Sequence, residues 1–356
     1  MVQRSSTLKV LAEHLDLSIT TVSRALAGNP SVAARTRERV TAAAREFGYV
    51  PNLAARQLVS GRSGFAAFVL PVRGPSYVDS YLGEFLTGLG EGLATHGVDL
   101  LLAPVQPDRS ELAVLRHVIE SGRADGVVVA RIAEEDERVG YLRERRVPFV
   151  MHGRLLDETA PVSWLDTDSG TAFGEAFDML YELGHRRFGL VSITDRMTFR
   201  HLRERGLRAA IARRGDQAVE LEVVAAPRFD RAAAVAAIDG LLHGPRRPTA
   251  VIGLFDELAL LVLERAAHAG LRVPHDLSVV GFDNVPAAAY APPGLTTFDA
   301  CTRRSAKEIG EMLVSLVEDR GGEPLRRLVR PEPVLRGSHG PAPRSERAVR
   351  RGRSKP

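Results

Sequence analysis

The segment from Thr7 to Leu26 constrains this chain more than any other, because its apolar spacing fits two short helices joined by a tight turn. Leu8, Leu11, Ala12 and Leu15 recur at i, i+3, i+4 and i+7 and share one helical face. Asp16-Leu17 makes the turn. Ser18 is a good N-cap for a second helix whose Val22, Ala25 and Leu26 face inward. Ile19, Thr20, Ser23 and Arg24 are left on its outer surface, the part of a helix-turn-helix that enters a DNA major groove.

The chain continues through Gly28-Asn29-Pro30 into a third helix with Thr36, Val40, Ala43, Ala44 and Phe47 on one face and Gly48 as its stop. Charge follows the same division. Residues 1–62 carry nine Lys/Arg against four Asp/Glu and residues 343–356 carry six against one, yet the whole chain is only +4. The middle is therefore acidic, and attraction for phosphate is confined to the ends.

With 356 residues and 44% hydrophobic content, the chain is long enough for a small head and a larger body. From Phe65 onward, short apolar runs alternate with amphipathic stretches: Phe65 to Leu70, Leu82 to Thr95, Leu100 to Ala103, Glu111 to Glu120 and Val127 to Ala130. This is the βαβ rhythm of a parallel sheet covered on both faces. It restarts with strands predicted at Phe188 to Ser192, Val219 to Ala225, Ala250 to Leu254 and Leu277 to Phe282, and with helices around Ala172 to Leu183, Leu202 to Arg213, Ala232 to Leu242 and Leu258 to Ala269. Two such halves form a cleft where strand carboxyl ends face one another, the usual ligand position in open α/β sheets. Crossovers between the halves are expected near Ser163 to Asp168 and Tyr290 to Asp299. The charge runs Glu134 to Glu137 and Arg143 to Arg146 read as solvated surface.

The segment Tyr49 to Leu58 completes a pattern that resembles the lactose/galactose repressor (LacI/GalR) family of bacterial transcription regulators. The matching residues are Thr7-Leu8-Lys9, Ser18, Thr21-Val22-Ser23-Arg24, Leu26, Gly28, Val32, Thr36 to Val40, Gly48-Tyr49, Pro51-Asn52, Ala55 and Leu58. The resemblance covers roughly residues 5–337. It implies an α/β chain with an all-α helix-turn-helix head (1–50), a hinge helix or linker (51–62) and a two-lobed periplasmic-binding-protein-like core of doubly wound parallel sheets (63–337). The remaining tail (338–356), rich in Pro, Gly, Ser and Arg and without an apolar face, reads as basic and disordered.

By the same resemblance Thr20 and Arg24 reach base edges, Arg suiting guanine, while the apolar side chain of Ile19 suits a thymine methyl. Ser18, Thr21, Ser23, Thr36, Tyr49 and Asn52 are implied phosphate contacts. Ala55 and Leu58 belong to the hinge, with Leu58 as a minor-groove lever. Two departures stand in the head: Asp16 where the family commonly has Gly, and Ala33 in place of the usual Ser cap of the third helix.

In the body, Arg203-Glu204-Arg205-Gly206 and the Asp283 that ends Ser278 to Asn284 match effector-binding motifs, as does Asp256, preceded here by Phe255 where many members have Asn. His152, Trp164, Tyr77 and Tyr81 are further cleft candidates. Trp164 fits a half-buried crossover position as well as it fits sugar stacking. The expected protein is a cytoplasmic, homodimeric repressor that binds a palindromic double-stranded operator and takes a small-molecule effector such as a sugar. No cofactor, metal or membrane partner is expected.

Two other readings compete. A sugar-binding receptor without a DNA role is disfavoured by the helix-turn-helix and by an amino terminus without an apolar signal segment. A nucleotide-dependent enzyme is disfavoured because no Gly-x-Gly-x-x-Gly opens a helix after the first strand. The one cysteine, Cys301, rules out an internal disulfide framework and fits a reducing compartment.

Arg24→Ala should cost about 1–3 kcal/mol at one base position in each half-site, measured by titrating single-base operator variants. An equal loss on every sequence would make Arg24 a phosphate contact instead.

Overall fold

The helical spacing at the amino terminus is realised as α1 (Leu8–Leu15), α2 (Ile19–Leu26) and α3 (Ala34–Glu46). The computed structural model describes residues 7–26, 29–49, 61–71, 80–106, 108–157, 161–319 and 321–343, and the chain divides into two units, Met1–Ser63 and Gly64–Pro356. In the first unit Leu11, Ala12, Leu15, Val22, Ala25, Val32, Val40, Ala43 and Ala44 form the core. Thr7 caps α1, accepting from the Val10 amide. Ser18 caps α2 by accepting from Thr21 N at 3.0 Å.

Asp16 takes the left-handed conformation, φ 53°, at the end of α1. Asp tolerates this region better than most residues, so the turn survives without the family's Gly. Ala33 makes no side-chain cap on α3.

The second unit contains two parallel sheets. The first-lobe sheet joins β1 (Phe65–Pro71), β2 (Asp99–Val105), β3 (Gly126–Ala130), β4 (Phe149–His152), β5 (Ser163–Thr167) and β11 (Arg326–Val329) in the order β11-β5-β4-β3-β1-β2. The second-lobe sheet has the order β7-β6-β8-β9, from β6 (Arg187–Ile193), β7 (Glu220–Ala226), β8 (Ala250–Gly253) and β9 (Ser278–Val280). β3 is buried throughout, as a strand covered on both faces must be.

Helices α4 (Ser80–Ala94), α5 (Glu111–Glu120) and α6 (Glu137–Glu144) accompany the first sheet. Helices α7 (Ser169–Glu182), α8 (Thr198–Arg214), α9 (Arg231–His243), α10 (Asp256–His268) and α11 (Pro286–Tyr290) accompany the second. The chain then returns through β10 (Thr297–Asp299) to α12 (Thr302–Glu318), whose Ala306, Ile309 and Leu313 share the first-lobe core with Phe85 and Leu89 of α4. Both expected crossovers are present.

A third crossover lies beyond the two positions read from the sequence. After β11 the chain forms β12 (Glu332–Val334), antiparallel to β10, and re-enters the second lobe. There Ser338 is fully buried, accepts from Val279 N at 2.8 Å through its carbonyl and donates its hydroxyl to Val279 O at 2.6 Å. The expected disordered tail from Ser338 is thus corrected at its start: residues 338–343 complete the second lobe, and residues 344–356 lie outside the described residues.

The run Glu134 to Glu137 is also corrected in part. Asp136 caps α6 and grips Arg138, whose guanidinium donates to the Ala130 and Arg131 carbonyls at 3.1 Å each, pinning the turn after β3.

The second lobe depends on one very close helix crossing. A Cβ at Gly206 in α8 would overlap the Gly170 carbonyl oxygen in α7, far inside van der Waals contact. Gly206→Ala should therefore separate the two helices and destabilise the body by about 1–3 kcal/mol. Urea unfolding of the full chain checks this, and an unchanged midpoint would show that the crossing relaxes freely.

Candidate functional site

In the head, the outer face of α2 is built as expected. Ile19 is 48% exposed, Thr20 and Arg24 are exposed, and Val22 and Ala25 anchor the opposite face in the core. Ser18 is exposed at the start of that face, with its hydroxyl 2.8 Å from that of Thr21. Ser23 and Thr36 are half-buried, and Tyr49 packs against the head core. Asn52, Ala55 and Leu58 lie outside the described residues.

In the body, the strand carboxyl ends of both lobes converge on a cleft of about 730 Å³, its open mouth included. Arg203, in the first turns of α8, is only 8% exposed and its guanidinium sits 4.0 Å above the Phe282 ring. It donates to the Leu254 carbonyl at 2.5 Å and stands 3.6 Å from the Asp283 carboxylate. Its Nε has no hydrogen-bond partner among the described residues. A buried guanidinium with an unused donor, beside an aromatic face, is an arrangement that hydroxyl or carboxylate groups of a ligand satisfy. Burial pushes the Asp283 carboxyl well above the usual carboxylate range, against the pull of Arg203. Asp283 also has φ 113°, a strained backbone at the mouth of the site.

The first lobe answers with Tyr81 and His152, whose hydroxyl and Nδ1 share a hydrogen bond of 2.6 Å. Burial, reinforced by Arg203, lowers the His152 pKa to about 4, so the ring is neutral at physiological pH. Asp166 is pushed up to about 6 by burial, opposed by Arg154 at 3.2 Å. Beyond the crossovers the lobes meet through main-chain bonds, Thr198 N to Ile132 O at 3.0 Å and Glu134 N to Arg196 O at 2.9 Å.

Of the expected cleft residues, Arg203, Asp283, Phe255, His152 and Tyr81 come together. Asp256 does not. It is fully buried and outside the cleft lining, accepting from Thr297 Oγ1 at 2.6 Å and Val285 N at 2.9 Å, so both oxygens serve the fold. Trp164 is also absent from the lining and instead lies 5.6 Å below the Arg154 guanidinium, in keeping with its crossover position. Tyr77 lies outside the described residues.

Sequence reasoning missed Arg131, Asp166, Arg228, Glu257 and Phe199, all of which line the cleft. Arg131 directly follows β3 and Asp166 is near the end of β5, so the rule that ligands bind at strand carboxyl ends would have flagged both.

A helix-turn-helix head joined to a two-lobed receptor body defines a DNA-binding sensor of small molecules. Residues 7–52 match the bacterial regulatory proteins of the lacI family, and residues 177–339 match the periplasmic binding protein-like domain. The chain is 36% identical to the HTH-type transcriptional regulator AglR of Rhizobium meliloti (strain 1021), over 94% of this chain and 95% of that protein. It is 30% identical to the HTH-type transcriptional repressor CytR of Escherichia coli (strain K12), over 94% and 97%. The solved complex of the transcriptional regulator CelR with cellobiose superposes with a TM-score of 0.70 at 28% identity, covering 94% of this chain and 99% of that one. The chain belongs to the lacI family and is a DNA-binding transcriptional regulator.

The Asp166 environment sets a pH dependence. Its folded pKa of about 6 lies above the ordinary carboxylate value of 3.8, so the stability it contributes is complete below about pH 4 and lost as pH rises through 6. At 1.36 kcal/mol per pKa unit, the parent should lose about 2–3 kcal/mol relative to Asp166→Asn over that window. Denaturant unfolding of both proteins from pH 4 to 7.5 measures the difference, and parallel pH profiles would refute it.

Proposed function

We propose that this regulator is a repressor that binds a palindromic operator as a homodimer in the cytoplasm and is controlled by a carbohydrate held between its lobes. The observation that carries the effector assignment is Arg203: a buried guanidinium stacked on Phe282, with an unpartnered Nε and Asp283 at 3.6 Å. Forked donors, a carboxyl and an aromatic face together suit the hydroxyls and the C–H face of a sugar ring. The cellobiose complex of the similar CelR supports the same ligand class. Phe255, in place of the family's usual Asn, contributes a ring rather than an amide, so sugar selection at that wall is by shape.

Ile19, Thr20 and Arg24 are assigned to base edges, with Ser18, Thr21, Ser23, Thr36, Tyr49 and Asn52 on phosphates. Ala55 and Leu58 are assigned to the minor groove. The chain acts by binding rather than by catalysis, a reading supported by its relatives being transcriptional regulators. An effector that prefers one spacing of the lobes shifts the population toward it, and that spacing sets how the two heads of the dimer meet the two half-sites.

Operator selection with the purified protein, followed by calorimetry with saccharides, tests the assignment. Asp283→Ala should lose effector binding and the response of operator affinity to effector, while basal operator binding stays at the parental level. Parental effector affinity in that variant would remove Asp283 from the site.

A further inference from the structure

A second cavity adjoins the interlobe cleft. It measures about 780 Å³ with its open mouth and shares Tyr81 and Asp283 with the cleft, so these two residues form the partition between the spaces. On the inner side Tyr81 is tied to His152 and Asp283 faces Arg203. On the outer side the wall is made by the second crossover, which leads from β10 into α12, and by the exposed face of α4.

We propose that the effector spans both cavities and is a disaccharide or larger glycoside, with one ring against Arg203 and Phe282 and the next beyond the partition. The inference rests on the carbohydrate reading and deepens it. A pyranose carries hydroxyls around its whole edge, so the edge it presents to Tyr81 and Asp283 can be extended by a glycosidic bond. The outer lining then decides what the extension is. Arg303 there is engaged with Glu91, and Asp299 accepts from Asn284 at 3.0 Å and from the Cys301 amide at 2.7 Å. Glu84, Thr302 and Arg304 add a carboxylate, a hydroxyl and a guanidinium to the same space. Among the described residues that lining interleaves donors and acceptors, with Tyr81 its one aromatic side chain and Val285 and Pro286 its apolar ones, a mixture that suits a second polyol ring better than an apolar aglycone.

Cys301, half-buried on the outer wall and the single cysteine of the chain, is a built-in reporter of that cavity. The full-length protein is treated with iodoacetamide in saturating glucose, galactose, maltose, cellobiose, trehalose, lactose or melibiose, and alkylation is followed by mass spectrometry alongside calorimetry. At least one disaccharide should bind about tenfold or more tightly than either monosaccharide. The same disaccharide should slow Cys301 alkylation about fivefold or more by blocking access, while a bound monosaccharide leaves the rate unchanged.

Glu84→Ala and Arg304→Ala, both at exposed positions, should weaken the disaccharide and leave monosaccharide and operator binding at parental values. A monosaccharide that binds as tightly as every disaccharide, or a bound disaccharide that leaves alkylation at its ligand-free rate, overturns the two-ring inference while the carbohydrate reading stands. Binding by none of the seven sugars overturns both.

Discussion

The buried carboxylate of Asp256 holds together the part of the body on which the cleft depends. It accepts from Val285 N and Thr297 Oγ1, while its own amide donates to the Phe282 carbonyl at 2.8 Å. Three stretches far apart in sequence, the start of α10, the loop after β9 and the strand β10, are thereby locked at one point. Gly281 allows it, since a Cβ there would collide with the Asp256 carboxylate. Burial raises the Asp256 pKa to about 7, with the bonds from Thr297 and Val285 opposing the shift. The residues on either side of this lock, Phe255, Phe282 and Asp283, are among those that wall the second lobe's half of the cleft. Asp256 positions the site without touching the space inside it.

The first lobe solves the same problem differently. Arg138 gathers the turn after β3 by donating to two carbonyls and pairing with Asp136 and Glu111. That turn leaves Arg131 at φ 55° and on the cleft wall, where burial, with the like charge of Arg228, lowers its pKa to about 9. Each lobe therefore spends a buried charge on shaping the end of a strand. Removing one member of the Asp136–Arg138–Glu111 group leaves the remaining charge buried without its partner.

The head was almost wholly legible in the sequence because its determinants are local: helical spacing, the Ser18 cap and the Asp16 turn all act within four residues of chain. The strands β1–β3 and β6–β9 were legible for a similar reason, as short apolar-rich runs, whereas the exposed, Arg-rich β11 and the short β12 were not. What failed was convergence. Asp256 looks like a ligand group until Thr297, 41 residues away, is seen to occupy it. Ser338 sits in a Pro- and Gly-rich stretch that reads as disordered, yet its hydroxyl and carbonyl are paired with β9, 59 residues earlier. The helix α12 was not predicted although Ala306, Ile309 and Leu313 carried its period, and Arg131, Arg228 and Glu257 gave no local sign beyond their places beside strand ends.

The third crossover has a mechanical consequence. β5 and β11 leave the first lobe as paired neighbours, and β10 and β12 run as a paired ribbon where the chain passes between the lobes. A lone tether would let one body spin against the other. Three tethers bound side by side resist torsion and leave bending as the soft coordinate. A joint of that kind confines relative movement of the lobes chiefly to opening and closing the space between them.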